Sequence, residues 1–84
     1  IYIANQNSDT VSVIDGTNNG VIATISVGGI PFGLGIDLEL NYIYVANNVY
    51  HNVSVIDGNN NGVIATITVG SNPCGIAVKE PPII

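Results

Sequence analysis

Val11-Ser12-Val13-Ile14-Asp15-Gly16 returns unchanged, 42 residues later, as Val53-Ser54-Val55-Ile56-Asp57-Gly58. The match extends in both directions. Upstream, Ile1-Tyr2-Ile3-Ala4-Asn5 aligns with Ile43-Tyr44-Val45-Ala46-Asn47. Downstream, Asn18-Asn19-Gly20-Val21-Ile22-Ala23-Thr24-Ile25 recurs as Asn60-Asn61-Gly62-Val63-Ile64-Ala65-Thr66-Ile67. The chain therefore divides into two copies of one unit, 1–42 and 43–84, with a period in the range of propeller blades.

Each copy reads as strands. β-branched residues dominate, and the apolar runs are short and bounded by Gly, Asn, Asp and Pro. The pattern predicts strands near 1–5, 10–15, 21–27, 32–37, 42–47, 52–57, 63–69 and 74–79. No stretch combines apolar spacings of three and four with good helix formers, so no helix is expected.

The two-residue alternation is incomplete. Val21, Ala23, Ile25 and Val27 share one side of a strand, yet Ile22 on the other side is also apolar. Val11 and Val13 face away from Ser12 and Ile14 in the same manner. Strands apolar on both faces belong to sheets covered on both sides. A propeller blade between two neighbouring blades meets that demand without helices. Gly33-Leu34-Gly35-Ile36 and Gly75-Ile76-Ala77-Val78 mix small and branched residues, which suits strands near the axis, where backbones crowd together.

Ile-Tyr-Val-Ala-Asn, Val-Ser-Val-Ile-Asp-Gly, Val-Ile-Ala-Thr-Ile, and Val-Gly followed shortly by Pro-x-Gly together resemble the YVTN family of β-propeller repeats. The resemblance covers nearly the whole chain in both copies. It implies a β-propeller, seven blades being typical of the family, and a cell-surface or secreted protein of the surface-layer kind. The departures lie between repeats. Where the family usually has Asn-Pro and a basic residue, this chain has Asp37-Leu38-Glu39-Leu40-Asn41 and Lys79-Glu80-Pro81-Pro82.

Composition bounds the function. Length allows one small domain. Charged residues make up only 8% of the chain, against a usual quarter, so Asn, Ser, Thr and Gly carry the polarity. The 46% hydrophobic content is not the signature of disorder. Lys79 is the only Lys or Arg, and the formal net charge is −5. Nucleic acid is therefore excluded as a partner, and anionic membrane surfaces are disfavoured. No apolar run approaches the roughly 18 residues of a membrane span. The chain starts at Ile1 without a Met or a signal-like segment, so the true start is expected to be absent or processed away. Cys74 is the only cysteine and has no disulfide partner. With Phe32 at the equivalent place, it is expected to be a small buried hydrophobe.

Four features invite a site reading. Asp57-Gly58-Asn59-Asn60-Asn61-Gly62 matches the opening of a calcium loop, with Asp57, Asn59 and Asn61 as candidate ligands. The place of the closing bidentate Glu is held by Thr68, however, and Asp-Gly and Asn-Gly also signal hairpins. Asn52-Val53-Ser54 is a glycosylation sequon, expected on an exposed loop. His51 beside Tyr50 has no second His and reads as a solvated loop residue. Asp37 and Glu39 could face the same way on a strand, but Lys79 stands at the place matching Asp37 in the second copy. No serine sits in a nucleophile elbow, and no helix follows the glycine pairs as dinucleotide binding requires.

The expected fold class is all-β: a β-propeller of two tandem four-stranded blades, circularly offset, within a larger ring or assembly. The chain should begin on a second strand and end on the innermost strand of a following blade, and Pro81-Pro82 should end strand pairing there. The expected function is a non-catalytic scaffold, structural or protein-binding, extracellular or at the cell surface, without a cofactor or a structural metal. The rival is an enzyme or ligand-binding propeller whose site forms at the axial mouth from several blades. Expected partners are other propeller blades, as further copies of the chain or as missing parts of a longer one. Two blades alone gain little more from apolar burial than ordering the chain costs.

Overall fold

A computed structural model describes residues 1–79; the Pro81-Pro82 stop lies outside the described residues. Seven strands form in chain order: β1 (Tyr2–Asn5), β2 (Thr10–Asp15), β3 (Gly20–Ser26), β4 (Pro31–Asp37), β5 (Tyr42–Asn47), β6 (Asn52–Asp57) and β7 (Gly62–Thr68). They make two antiparallel meanders, β1-β2-β3 and β4-β5-β6-β7. The all-β reading holds, with one small exception in a three-residue 3-10 turn at Gln6–Ser8. The second sheet is a complete four-stranded blade. The first has three strands. The sequence repeat of 42 residues and the sheet are out of phase: the 42/43 boundary falls inside β5.

One expected strand does not form. Residues 74–79 make no ladder with any described residue. They lie instead against the glycines of β4. A Cβ on Gly33 would collide with the Cys74 carbonyl oxygen, and one on Gly35 with Ile76 Cγ2. The small residues there are required by that close approach, as the axial reading anticipates.

The broken alternation has a local cause as well. In β2–β3, Val13 pairs Ala23 while Ile14 pairs Val21, which leaves Ile22 as the extra residue of a β-bulge. Val55 pairs Ala65 and Ile56 pairs Val63 in the second copy, so Ile64 is left out in the same way. Both Ile22 and Ile64 are exposed. Their apolar character is thus a matter of bulge position rather than of a second packed face.

The core is the interface between the two sheets. Val11, Val13 and Ile25 of the first pack on Ile43, Val45 and Ile56 of the second, with Tyr2, Ala23, Val27 and Leu34 around them. Ile43 is registered with Ile56, and Val45 with Ser54, so the apolar stripe on β5–β6 points at the preceding blade. Blade stacking is what buries this chain's hydrophobic surface.

Candidate functional site

The hairpins set the edges of both blades, and they use one device throughout. Asp9, Asn19, Asn41, His51 and Asn61 each sit just before a strand with φ between 55 and 60°. Among the described residues no glycine has positive φ. Asn and Asp tolerate the left-handed region because their short polar side chains bond locally. The glycines of Asp-Gly and Asn-Gly are therefore not the left-handed residues of two-residue turns.

In the β2–β3 turn, the Asn19 N–H donates to Asp15 O at 2.8 Å, and the Gly20 N–H to Asn18 Oδ1 at 2.8 Å. The Thr17 hydroxyl and N–H donate to Asp15 Oδ1 at 2.7 and 2.9 Å. These two bonds, the hydroxyl first, hold the Asp15 carboxyl below its ordinary pKa. The β6–β7 turn repeats the frame with a different occupant. The Asn61 N–H donates to Asp57 O at 2.8 Å and the Asn59 N–H to Asp57 Oδ1 at 2.9 Å, while Asn59 Oδ1 accepts from Asn41 Nδ2 at 3.0 Å. So the calcium candidates Asp57 and Asn59 have side-chain oxygens engaged in turn bonds, and Asn61 is the left-handed hairpin residue. Among the described residues no group of three or more His, Cys, Asp or Glu converges.

Asp37 and Glu39 do not form a strand pair. Asp37 ends β4, and its Oδ1 accepts from the Glu39 and Leu40 N–H groups at 3.0 and 3.2 Å, capping the β4–β5 turn. Asn52 is the first residue of β6 rather than a loop residue. Its Oδ1 accepts from Asn47 Nδ2 at 2.8 Å, and the sequon's Ser54 is buried. Cys74 is exposed, contrary to expectation. Its counterpart Phe32 is exposed too, so the equivalence was right but the face was not: in neither copy does the chain pack over this position. Cys74 Sγ donates to Asn72 O at 3.5 Å and accepts from Asn48 Nδ2 at 3.4 Å.

His51 is more than a solvated loop residue. Its Nδ1 accepts the Asn72 N–H at 3.0 Å, as Asp9 Oδ1 accepts the Ile30 N–H at 2.9 Å in the first copy. Both bonds span 21 residues and tie a hairpin to the segment that leads into β4 in the first copy and into residues 74–79 in the second.

Two bridging asparagines, one buried and one half-buried, escaped the sequence reading. Asn47 Nδ2 donates to Asn52 Oδ1 and Ser54 Oγ, both at 2.8 Å, and Asn5 Nδ2 donates to Thr10 Oγ1 at 3.1 Å and Ser12 Oγ at 2.8 Å. Each bridges two neighbouring strands near their ends. Asn47 is fully buried, its Oδ1 has no partner, and a Cβ on Gly28 would come within 2.8 Å of its Nδ2. The signal was present in Ala-Asn closing the same strand in both copies, with Ser two places into the next strand.

A groove of about 380 Å³ lies between the far face of the second blade and residues 76–79. Tyr44 and Val53 form its floor, Ile76, Ala77 and Val78 one wall, and Asp37 and Lys79 supply its charges. Its lining is mostly apolar, with one acid and one ammonium among it.

No protein-family profile matches the chain. No curated protein matches it either. Among solved structures, it is similar to a chain of hydrazine synthase from Kuenenia stuttgartiensis, with a TM-score of 0.85 and 28% identity over 88% of this chain. That match takes in only 21% of the other chain, so the present sequence spans about a fifth of its length. Hydrazine synthase contains a β-propeller, and the likeness supports the blade fold. It also counts against the expectation, drawn from the repeat scaffold and the lack of a recognisable nucleophile, that this chain is not an enzyme: the protein it matches is one. The physical reason is plain, since a blade carries little chemistry of its own and the same scaffold serves catalytic and other proteins alike.

Proposed function

We propose that this chain is a wall-building unit of a β-propeller, a scaffold whose blades hold other blades and present their rim to protein partners outside the cell. The observation that carries the reading is the seating of residues 74–78 on Gly33 and Gly35, where any side chain would collide. Such an approach is needed where successive innermost strands converge, and the apolar faces on either side extend it to further blades. The YVTN-like strands, the low charge and the Asn/Thr-rich polar positions support a surface-layer-like role at the cell surface. If the blades are one another's partners, stability depends on protein concentration. The melting temperature should therefore rise by several degrees between nanomolar and high micromolar chain. A concentration-independent, cooperatively folded 8.7 kDa monomer would refute the reading.

A second reading rests on the likeness to hydrazine synthase. In it the blades belong to an enzyme's or ligand-binding propeller, whose site is assembled at the axial mouth. A saturable small-molecule stabilisation of the assembled blades, abolished by substitutions at the mouth, would favour it.

A further inference from the structure

We infer that His51 is an acid-released clasp on the linker between β7 and residues 74–79, and that Asp9, its counterpart in the first repeat, makes the same clasp insensitive to acid over that range. The inference is independent of the propeller reading, since every contact it uses lies within the two described sheets and the linkers that follow them.

Each linker is held at both ends by one residue. The Asp9 carbonyl accepts the Val27 N–H at 3.0 Å, and Asp9 Oδ1 accepts the Ile30 N–H at 2.9 Å. In the second repeat the His51 carbonyl accepts the Val69 N–H at 3.1 Å, and His51 Nδ1 accepts the Asn72 N–H at 3.0 Å. Both clasping residues have left-handed backbone, with φ 55° at Asp9 and 57° at His51. The two clasps therefore share their frame and differ in the side-chain acceptor.

That acceptor decides the response to pH. An imidazole accepts at Nδ1 only while that nitrogen carries no proton, so the clasping His51 is neutral, with its proton on Nε2. Protonation turns Nδ1 into a donor facing the Asn72 N–H, and the bond is lost. A carboxyl group keeps an acceptor oxygen whether it is ionised or protonated. Only neutral His51 closes its clasp, so proton binding and closure compete, and the clasp opens as pH falls through the range of about 8 to 5 in which imidazoles change charge.

The surroundings leave this competition undisturbed. Tyr50 stands beside His51 on the turn, and Cys74 lies two residues beyond Asn72 with its thiol engaged by Asn48 Nδ2 and Asn72 O. Asp9, on the neighbouring hairpin, is occupied by its own linker at Ile30. Alternate turns of an antiparallel meander lie at opposite ends, so Asp37, Glu39 and Asp57 belong to the far end of the second blade, and Lys79 lines the groove there with Asp37. No carboxylate of the described second blade is thus placed to retain the imidazolium.

Nuclear magnetic resonance of the full chain between about pH 8 and 5 tests the clasp. At the upper end the His51 ring nitrogens should show the Nε2–H tautomer. As the pH falls, the Asn72 amide shift should follow the imidazole titration. Protection of that amide from hydrogen exchange, corrected for the intrinsic rate, should drop about threefold or more, as the loss of one exposed bond allows. The Ile30 amide should do neither. Asp9→His should transfer the response to Ile30, and His51→Asp should remove it from Asn72; each substitution copies one repeat into the other. A merely solvated imidazole would titrate without moving Asn72, and that result overturns the inference. So does an Nδ1–H tautomer at the upper end of the range, or an Asn72 response that survives His51→Asp. Should either variant fail to fold, the titration of the parent chain, Asn72 against Ile30, decides alone.

Discussion

The first and second copies of the repeat are close in sequence and unequal in environment, and the inequality separates what a blade does alone from what its neighbour does for it. Pairing of the outer strands needs only the copy itself: β2–β3 and β6–β7 share their register, their bulge and their turn frame, whereas β4 of the first copy pairs with β5, which lies almost wholly in the second. Burial needs a neighbour. Val45 is sealed because the first blade covers it, and Ile3 at the same place in the repeat is not. Local structure is thus encoded per repeat, whereas the core belongs to pairs of blades, as expected of a repeat protein whose stability resides in nearest-neighbour contacts.

The largest expected difference concerns the bridging asparagines. Asn47→Ala leaves Ser54 Oγ and Asn52 Oδ1 without a donor in a buried place, which costs about 1–3 kcal/mol. Asn5→Ala removes the same pair of bonds where water can reach, so its cost should be about 0.5–1.5 kcal/mol. Urea midpoints at one fixed, low chain concentration measure both. Equal losses would show that burial under Gly28 adds nothing and break the comparison at its root. Asn47→Asp should be worse than Asn47→Ala, because it puts a charge in a fully buried place that holds no cation.

Smaller and opposite in sign is the effect at the entry to each innermost strand. Ile30 has φ 50° and Asn72 φ 56°, each immediately before a proline. A β-branched residue in the left-handed region is an outlier, whereas Asn visits it readily. Ile30→Asn, which copies the second repeat into the first, should stabilise the chain by about 1 kcal/mol, and Asn72→Ile should cost about as much. Thermal melts of the two variants and the parent settle the sign. A destabilised Ile30→Asn would mean that the Ile30 side chain packs usefully enough to outweigh its backbone strain.

Much of this was legible in the residues. Apolar runs bounded by Asn, Asp and Gly placed seven strands to within a residue or so, because hairpin ends are set by local turn chemistry. The eighth was misread for a physical reason. Cys74 to Lys79 has the composition of a strand, but a strand exists only with a partner, and partnership cannot be read from the segment itself. Cys74 failed for a related cause: its side chain's burial depends on what covers that edge. Ile22 and Ile64 misled because a bulge shifts the alternation without any glycine to mark it. The roles of Asn47 and His51 were hidden since both act through contacts formed only once the sheet and the linker are in place, and the enzymatic likeness lay outside anything a blade's residues encode.

The smallest expected effect distinguishes the two Asp-led turns under acid. Thr17 donates twice to Asp15 Oδ1, and the Asp15 carboxyl is held below its ordinary value for that reason. A carboxyl whose folded pKa is depressed binds its proton less readily in the native state than in the unfolded chain. Its contribution is therefore fully present above the unfolded value, near 3.9, and is lost as pH falls through the lower folded value. The bonds to Asp15 Oδ1 are solvent-exposed, so the effect is small and sensitive to salt. Thr17→Asn places in the first turn the residue that the second turn has, Asn59, and removes the hydroxyl donor while keeping the backbone one. The parent should lose stability below about pH 4 slightly faster than Thr17→Asn, and the two curves should run parallel at neutral pH, offset by whatever the hydroxyl bond contributes there. Proton-linked chemical shifts of the Asp15 carboxyl give the direct measurement. A titration midpoint that does not rise on Thr17→Asn would show that the hydroxyl is not what lowers it.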